Sequence, residues 1–246
     1  MRKMLALVLV TTSLAVAQIH PHFGVEVGTP LTDTLTSTSF MSVAGANTNS
    51  TRSNSETKRL VIGPAFRLDL ASGLGLEIDA LYQRVDFDRL DIYSPPLSRN
   101  FEALAANRWQ FPLLIQYRNK FAKLGWYVEG GPSIEHFTAW HGTTSSFTAA
   151  SGTSAATSSS STTNGTGNTY SGITLGAGVD VPVSRIHLRP EFRFSHWFLS
   201  ANGTLANVLA LYPVSLSSVV SGSFFAGPST SSPNQNEASF LLGIAF

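Results

Sequence analysis

From residue 19 to the C-terminus, apolar side chains return at every second position in eight separate segments. A period of two sends alternate side chains to opposite faces of a β-strand. Segment 19–30 sets Phe23, Val25 and Val27 against His22, Gly24, Glu26 and Gly28, and segment 59–70 sets Leu60, Ile62, Phe66, Leu68 and Leu70 against Gly63, Ala65, Arg67 and Asp69. In 74–87, Leu76, Ile78, Ala80 and Tyr82 oppose Glu77, Asp79 and Gln83; in 108–118, Trp109, Phe111, Leu113, Ile115 and Tyr117 oppose Gln110, Gln116 and Arg118. In 125–137, Trp126, Val128 and Ile134 oppose Tyr127, Glu129, Ser133 and Glu135. In 170–181, Ile173, Leu175, Ala177, Val179 and Val181 oppose Thr174, Gly176, Gly178 and Asp180. In 186–197, Ile186, Leu188, Phe192 and Phe194 oppose His187, Arg189, Glu191, Arg193 and Ser195. The last segment, 237–246, sets Phe240, Leu242, Ile244 and Phe246 against Ser239, Leu241, Gly243 and Ala245. One face is uniformly apolar and the other polar or small, the pattern of a strand between lipid and a packed interior. Each segment is near the about 9–11 residues that a tilted membrane strand requires.

The connections alternate as strictly as the strands. Residues 71–73, 119–124 and 182–185 are short turns, whereas 31–58, 88–107, 138–169 and 198–236 are long and rich in Ser, Thr, Asn and Gly. Short turns at one rim and long loops at the other are the outer-membrane arrangement, with the short side periplasmic. The pattern therefore predicts an all-β fold: a closed, antiparallel, up-and-down transmembrane barrel. Eight strands are expected, or ten if 198–236, with Leu205, Val208, Leu209, Leu211 and Tyr212 and then Val219, Val220, Phe224 and Phe225, holds a further hairpin rather than a short helix. The uncharged stretch 142–169, with four consecutive serines from Ser158 to Ser161, is expected to form no structure of its own.

Targeting and composition agree. Arg2 and Lys3 precede an apolar run, Met4 to Val10, and the small-x-small triplet Ala15-Val16-Ala17. This is the form of a secretory signal peptide, so 1–17 is expected to be cleaved after Ala17, leaving 18–246 as one barrel domain in the bacterial outer membrane. Without Arg2 and Lys3 the formal net charge falls from +1 to −1. No polybasic patch remains to attract nucleic acid. Charged residues are 13% of the chain, about half the roughly 25% of soluble domains. There is no cysteine, which removes disulfides and cysteine-based zinc or redox sites. Past residue 17 no run approaches the ~20 apolar residues of a spanning helix.

The terminal strand ends on Phe246, and Arg189-Pro190-Glu191-Phe192-Arg193-Phe194 precedes it as a penultimate strand. With the leader, the alternating strands and the turn–loop asymmetry, these features resemble the small outer-membrane β-barrel proteins of the OmpA/OmpX type. The resemblance covers the whole chain after residue 17. It implies that the barrel assembly machinery reads the terminal strand, that outer-membrane lipids surround a monomer, and that no peptidoglycan-binding domain follows Phe246.

Candidate chemistry is concentrated in the interior. Arg67, Glu77, Asp79, Glu129, Asp180, Arg189, Glu191 and Arg193 all point inward in this register. An eight-stranded interior is just wide enough for side chains to fill it, so these charges are expected to pair as a structural plug rather than line a path. Trp109, Tyr117, Trp126, Trp140, Trp197 and Phe246 lie at strand ends and are expected to form the aromatic girdles. His196 near Ser195 and Ser200 invites a comparison with an outer-membrane lipid A deacylase, whose motif sets Ser two residues after His; Phe198 stands there instead. No catalytic, metal or cofactor site is therefore assigned. His20 with His22, and His136 with His141, fall short of the three or four converging ligands of a metal site. Gly176-Ala177-Gly178 precedes no helix pattern, so it is no phosphate loop; such lumen glycines make room for large neighbours such as Tyr127. The reading is a structural or surface-interaction barrel acting through its outer loops, the alternatives being a narrow solute channel and a lipid-modifying enzyme. Tyr212, Phe224 and Phe225 are the candidate contact for an extracellular ligand, or a lid folded on the barrel mouth.

Overall fold

A computed structural model describes residues 20–35, 37–70, 73–121, 124–198 and 234–246. The leader and Tyr212, Phe224 and Phe225 lie outside the described residues. Among the described residues twelve strands are present: β1 (His20–Pro30), β2 (Thr38–Ala44), β3 (Asn47–Asp69), β4 (Leu74–Asp79), β5 (Leu81–Ser94), β6 (Ser98–Phe121), β7 (Leu124–Phe137), β8 (His141–Thr148), β9 (Thr157–Asn164), β10 (Asn168–Val183), β11 (Ile186–Phe198) and β12 (Asn236–Ala245).

The wall is a closed, antiparallel, eight-stranded barrel. It runs β1, β3, β4 with β5, β6, β7, β10, β11 and β12, and closes where β12 returns to β1. The closing ladder extends from Gly24 opposite Ala245 to Pro30 opposite Ser239, and Phe246 N–H donates to the Phe23 carbonyl over 2.9 Å. Closure matters because lipid offers no partner for a free backbone N–H or C=O. The third wall strand is interrupted at Ala80, whose N–H donates to the Pro64 carbonyl over 3.0 Å. Alternation survives the interruption: Asp79, Leu81 and Gln83 are all buried. At the short-turn rim, Gly73 has a positive φ of 78°, a conformation glycine adopts without steric cost.

The faces follow the alternation read from the sequence. Phe23, Ile62, Ile115, Leu175, Phe192 and Phe240 point outward and are exposed, whereas Arg67, Glu77, Glu129, Glu191 and Arg193 are buried. An exposed apolar band of this extent would be unstable in water and is at home in hydrocarbon.

The connections depart from expectation. Segments 31–58, 88–107 and 138–169, read as long loops, are largely strand. β3 and β6 run for 23 and 24 residues, well beyond the length that spans a membrane. Above the band, β3, β5 and β6 continue side by side, with β2 added beside β3 and the β8–β9 hairpin beside β6. The result is a six-stranded outer sheet in the order β2, β3, β5, β6, β8, β9. The serine stretch expected to be structureless is β9, paired from Thr157 to Asn164 with β8. Composition misleads here because a polar strand does not need a core of its own. It is templated by a neighbour whose register the barrel already fixes, so each added pair orders few further residues. Cross-strand hydroxyl pairs then support it, with Ser146 and Ser159 at 2.7 Å and Thr144 and Thr163 at 2.6 Å.

Leu175 lies mid-band on β10. Leu175→Arg should destabilise the barrel by about 2–4 kcal/mol, as cationic substitutions do at the bilayer midplane. Urea unfolding in lipid vesicles measures this, and an unchanged midpoint would show that this face does not meet lipid.

Candidate functional site

The barrel interior carries charge in three layers. Nearest the short-turn rim, Arg118 donates through both terminal nitrogens to Asp69, at 3.0 and 2.9 Å. Arg67 lies 3.1 Å from the same carboxylate, and His22 3.3 Å. Asp180 lies 3.7 Å from Arg118 and contacts His187 Nδ1 at 2.7 Å. Asp180 thus belongs to the basal layer, apart from the other acids expected in one network.

The central layer is built around Arg193, whose guanidinium meets five carboxylates. Nη2 lies 3.2 Å from Glu26 and 2.8 Å from Glu77; Nη1 lies 2.5 Å from Asp79; Nε lies 3.2 Å from Glu129 and also bonds Glu191. Arg189 donates to Glu77 over 2.7 Å and lies 4.3 Å from the centre of the Tyr127 ring. Tyr127 in turn donates to Glu191 over 2.9 Å, and Gln116 donates to Glu129 over 2.9 Å. Two glycines make this crowding possible. A Cβ on Gly176 would lie 2.9 Å from carboxylate oxygens of both Glu129 and Glu191, and one on Gly178 would lie 2.5 Å from the Tyr127 hydroxyl. Gly178 makes room for Tyr127, and Gly176 for the carboxylates of Glu129 and Glu191.

The upper layer lies outside the set of interior charges expected to pair. Arg108 bonds Glu135 and Glu237, donates to Gln83 over 2.7 Å and to Thr34 over 3.2 Å, and lies 5.9 Å from the ring centres of Phe137 and Trp197. Trp197 Nε1–H donates to Glu237 over 2.9 Å. Glu26 and Glu135 already stood on the inward face of their strands, and Arg108 has the parity of Gln110. The alternation carried this signal, but ion partners from distant strands are visible only after closure.

Above Arg108, an aromatic and aliphatic cluster closes the mouth: Leu35, Val85, Phe87, Leu104, Ala106, Phe137, Trp140, Tyr170 and Trp197. This corrects the girdle. Trp140 and Trp197, expected on the outer rim, are only 2% and 1% exposed and plug the barrel. Trp197 has the parity of Arg193 and Ser195, so its own strand turns it inward; nearness to a strand end fixed its height and not its face. The remaining girdle residues are outward. Trp109 packs with Tyr82 and Phe111 at one rim, at 5.2 and 6.3 Å. Tyr117 and Trp126 meet edge-on at 6.1 Å at the other, and Phe246 is exposed.

Two small cavities lie among these side chains. A cavity between the central and upper layers, lined by Leu81, Gln83, Arg108, Thr174, Arg193 and Glu237, holds about 20 Å³, and one beside Glu26, Arg67 and Arg189 about 10 Å³. These volumes suit single waters at most. Glu26, Glu77 and Glu191 each offer an oxygen within 4.8 Å of the others, the spacing of a metal cluster. The Arg193 guanidinium contacts all three, so a cation already serves them. Ser195 faces inward, 2.8 Å from Thr174, while His196 pairs with Asn236 at 2.8 Å, so the two form no catalytic dyad. His136 and His141 bond separately to Thr169 and Asn164, at 2.9 and 3.0 Å.

With the closed wall, the lipid-facing band and the filled interior in view, the comparison with known families is direct. The model of the outer membrane protein beta-barrel domain matches residues 16–199. The chain belongs to this family. The matched span includes β1 to β11, and its outer-membrane location accords with the apolar band. No curated protein matches the sequence.

Removing one member of a buried ion cluster strands its partners. Arg193→Ala should therefore cost about 3–5 kcal/mol, seen as a lower urea midpoint in vesicles and a lower temperature for losing the compact form on unboiled gels. An unchanged midpoint would show that the central carboxylates do not depend on this guanidinium.

Proposed function

We propose that this outer-membrane barrel is a non-conducting scaffold that displays an interaction surface, and that the surface is the six-stranded sheet carried above the membrane. The observation that carries the reading is the contrast between the two ends of the same strands. Within the membrane their inward side chains fill the lumen, as in the water-sized cavity beside Arg108. Beyond it β3, β5 and β6 continue as ordered structure and recruit β2, β8 and β9. Binding residues are commonly displayed by a rigid scaffold, and here the scaffold is the barrel wall. A transport role would need a path through Arg193, its five carboxylates and the aromatic plug.

In this reading the protein is a monomer in its own membrane, surrounded by lipid and installed by the barrel assembly machinery. Residues 1–17 act as a leader removed after Ala17, so the mature chain would begin at Gln18. The role is non-catalytic.

Purified protein in planar bilayers should give conductance at background. Excision of residues 38–53, which hold β2 and the arm of β3 that carries it, should leave heat-modifiable mobility intact while removing adhesion or partner binding by whole cells. A stable open channel from the unaltered protein would overturn the scaffold reading in favour of transport.

A further inference from the structure

The outer sheet ends in two edges, β2 and β9, and among the described residues each pairs with one strand only. The edges are chemically unlike. β9 is Thr-Ser-Ser-Ser-Ser-Thr-Thr-Asn, with several hydroxyls engaged by β8. β2 is Thr-Ser-Phe-Met-Ser-Val-Ala, with Phe40, Met41 and Val43 exposed by 43, 67 and 64%. Proteins guard an open edge with lysine, proline, a bulge or a cover, because its unpaired N–H and C=O groups template another strand. β2 has no charge and no proline, and its pairing with β3 is unbroken from Thr38 opposite Ser53 to Ala44 opposite Asn47. Among the described residues no strand, charge or proline guards it.

We propose that β2 is a self-recognition edge, pairing antiparallel with β2 of a second copy presented by an opposing outer membrane. The proposal rests on the display reading above and names its partner. Three features favour a second copy. First, a seven-residue strand paired with itself about its centre sets Met41 against Met41, Phe40 against Ser42, Ser39 against Val43 and Thr38 against Ala44. No like charges meet, and each larger apolar side chain other than Met41 faces a smaller one. Second, the register carries Met41 through Ser50, Ile92 and Arg99 to Phe147, so these residues share one face. Exposed Met41, Val43 and Phe147 would then continue into the same face of the partner. Third, the membrane decides the arrangement. Antiparallel strands that share faces are related by a two-fold axis normal to their sheet. This sheet continues the barrel wall, so that axis lies in the membrane plane and inverts the partner. Two barrels in one membrane share an orientation, and only copies on facing membranes satisfy the axis. β2 also stands clear of the lipid. Met41 is level with Ile92, ten residues beyond the rim residue Tyr82, or roughly 30 Å along the strand. One such pairing is weak, and many between two cells add through avidity.

The absence of cysteine makes the test direct. Met41→Cys places one thiol at the centre of the proposed pairing, where opposed Cα atoms about 4.5–5.5 Å apart suit a disulfide. Two cell populations carrying this variant with different tags are mixed under mild oxidation. The expected result is a disulfide dimer holding both tags, with Ser160→Cys on β9 giving none. Cells expressing the otherwise unaltered chain should clump, and Met41→Lys should abolish clumping while the protein keeps its heat-modifiable mobility. Labelling the Met41→Cys thiol with a membrane-impermeant maleimide in dilute whole cells separates the two claims. A protected thiol would sink the display reading together with the proposal. A labelled thiol with no mixed-tag dimer, or with dimers of one tag only, would overturn self-recognition between membranes and leave display standing.

Discussion

Everything in this protein follows from the requirement that no backbone polar group be left bare in hydrocarbon. The β1–β12 ladder, from Gly24 opposite Ala245 to Pro30 opposite Ser239, meets it by joining the two ends of the chain into one ring of strands. Once the ring is closed, every strand has a lipid face and a lumen face, and the period of two assigns each residue to one of them. With eight strands the ring is narrow, so the lumen face must be filled by its own side chains. Charge inside such a ring is tolerated only when paired, which gives Arg193 its five carboxylate neighbours and Arg108 its contacts with Glu135 and Glu237. These clusters are not evidence of exceptional stability. Their weight lies in how much is lost when one member is removed, and in how they tie strands distant in sequence: Arg108 and Glu237 are 129 positions apart.

The barrel was legible in the sequence because both of its solvents write a pattern. Lipid selects Phe23, Leu175 and Phe192 on one parity, and the packed lumen selects Glu26, Gly176 and Arg193 on the other. The same parity contained Glu135 and Trp197, and following it strictly would have turned Trp197 inward. Trp140 had no such guide, since it lies beyond the end of β7. The outer sheet was illegible for a different reason. Above the membrane the strands meet water on exposed faces, the two-fold alternation fades, and Ser158 to Ser161 reads as a linker. What orders these residues is the register inherited from the wall, a property of neighbours rather than of the segment.

In the proposed reading, filling the lumen also separates stability from function along the chain. The interior side chains are committed to one another, and the mouth is stopped by Phe137 stacked on Trp140 at 5.9 Å and edge-on to Tyr170 at 6.1 Å. A substitution there acts on the barrel before it acts on any partner. The outer sheet has the opposite character. Its inner face still holds local pairs, such as Thr51 with Asp91 at 2.7 Å and Arg89 with Asp91 at 3.0 Å, but its outer face holds Met41, Val43 and Phe147 in the open.

A closed barrel abolishes strand edges only where it is closed. By letting β3, β5 and β6 outrun the ring, the chain recreates beyond the membrane the exposed edges that closure removed within it. Adding β2 and the β8–β9 hairpin does not remove those edges; it moves them outward and changes their chemistry, one to hydroxyls and one to Phe40, Met41 and Val43. An edge in the lipid layer would be intolerable, and an edge in water costs little because water satisfies its groups until a better partner arrives. The same backbone chemistry that forces the ring shut in the membrane therefore leaves unpaired strand groups on its overrunning rim, and the proposed pairing between membranes would use them.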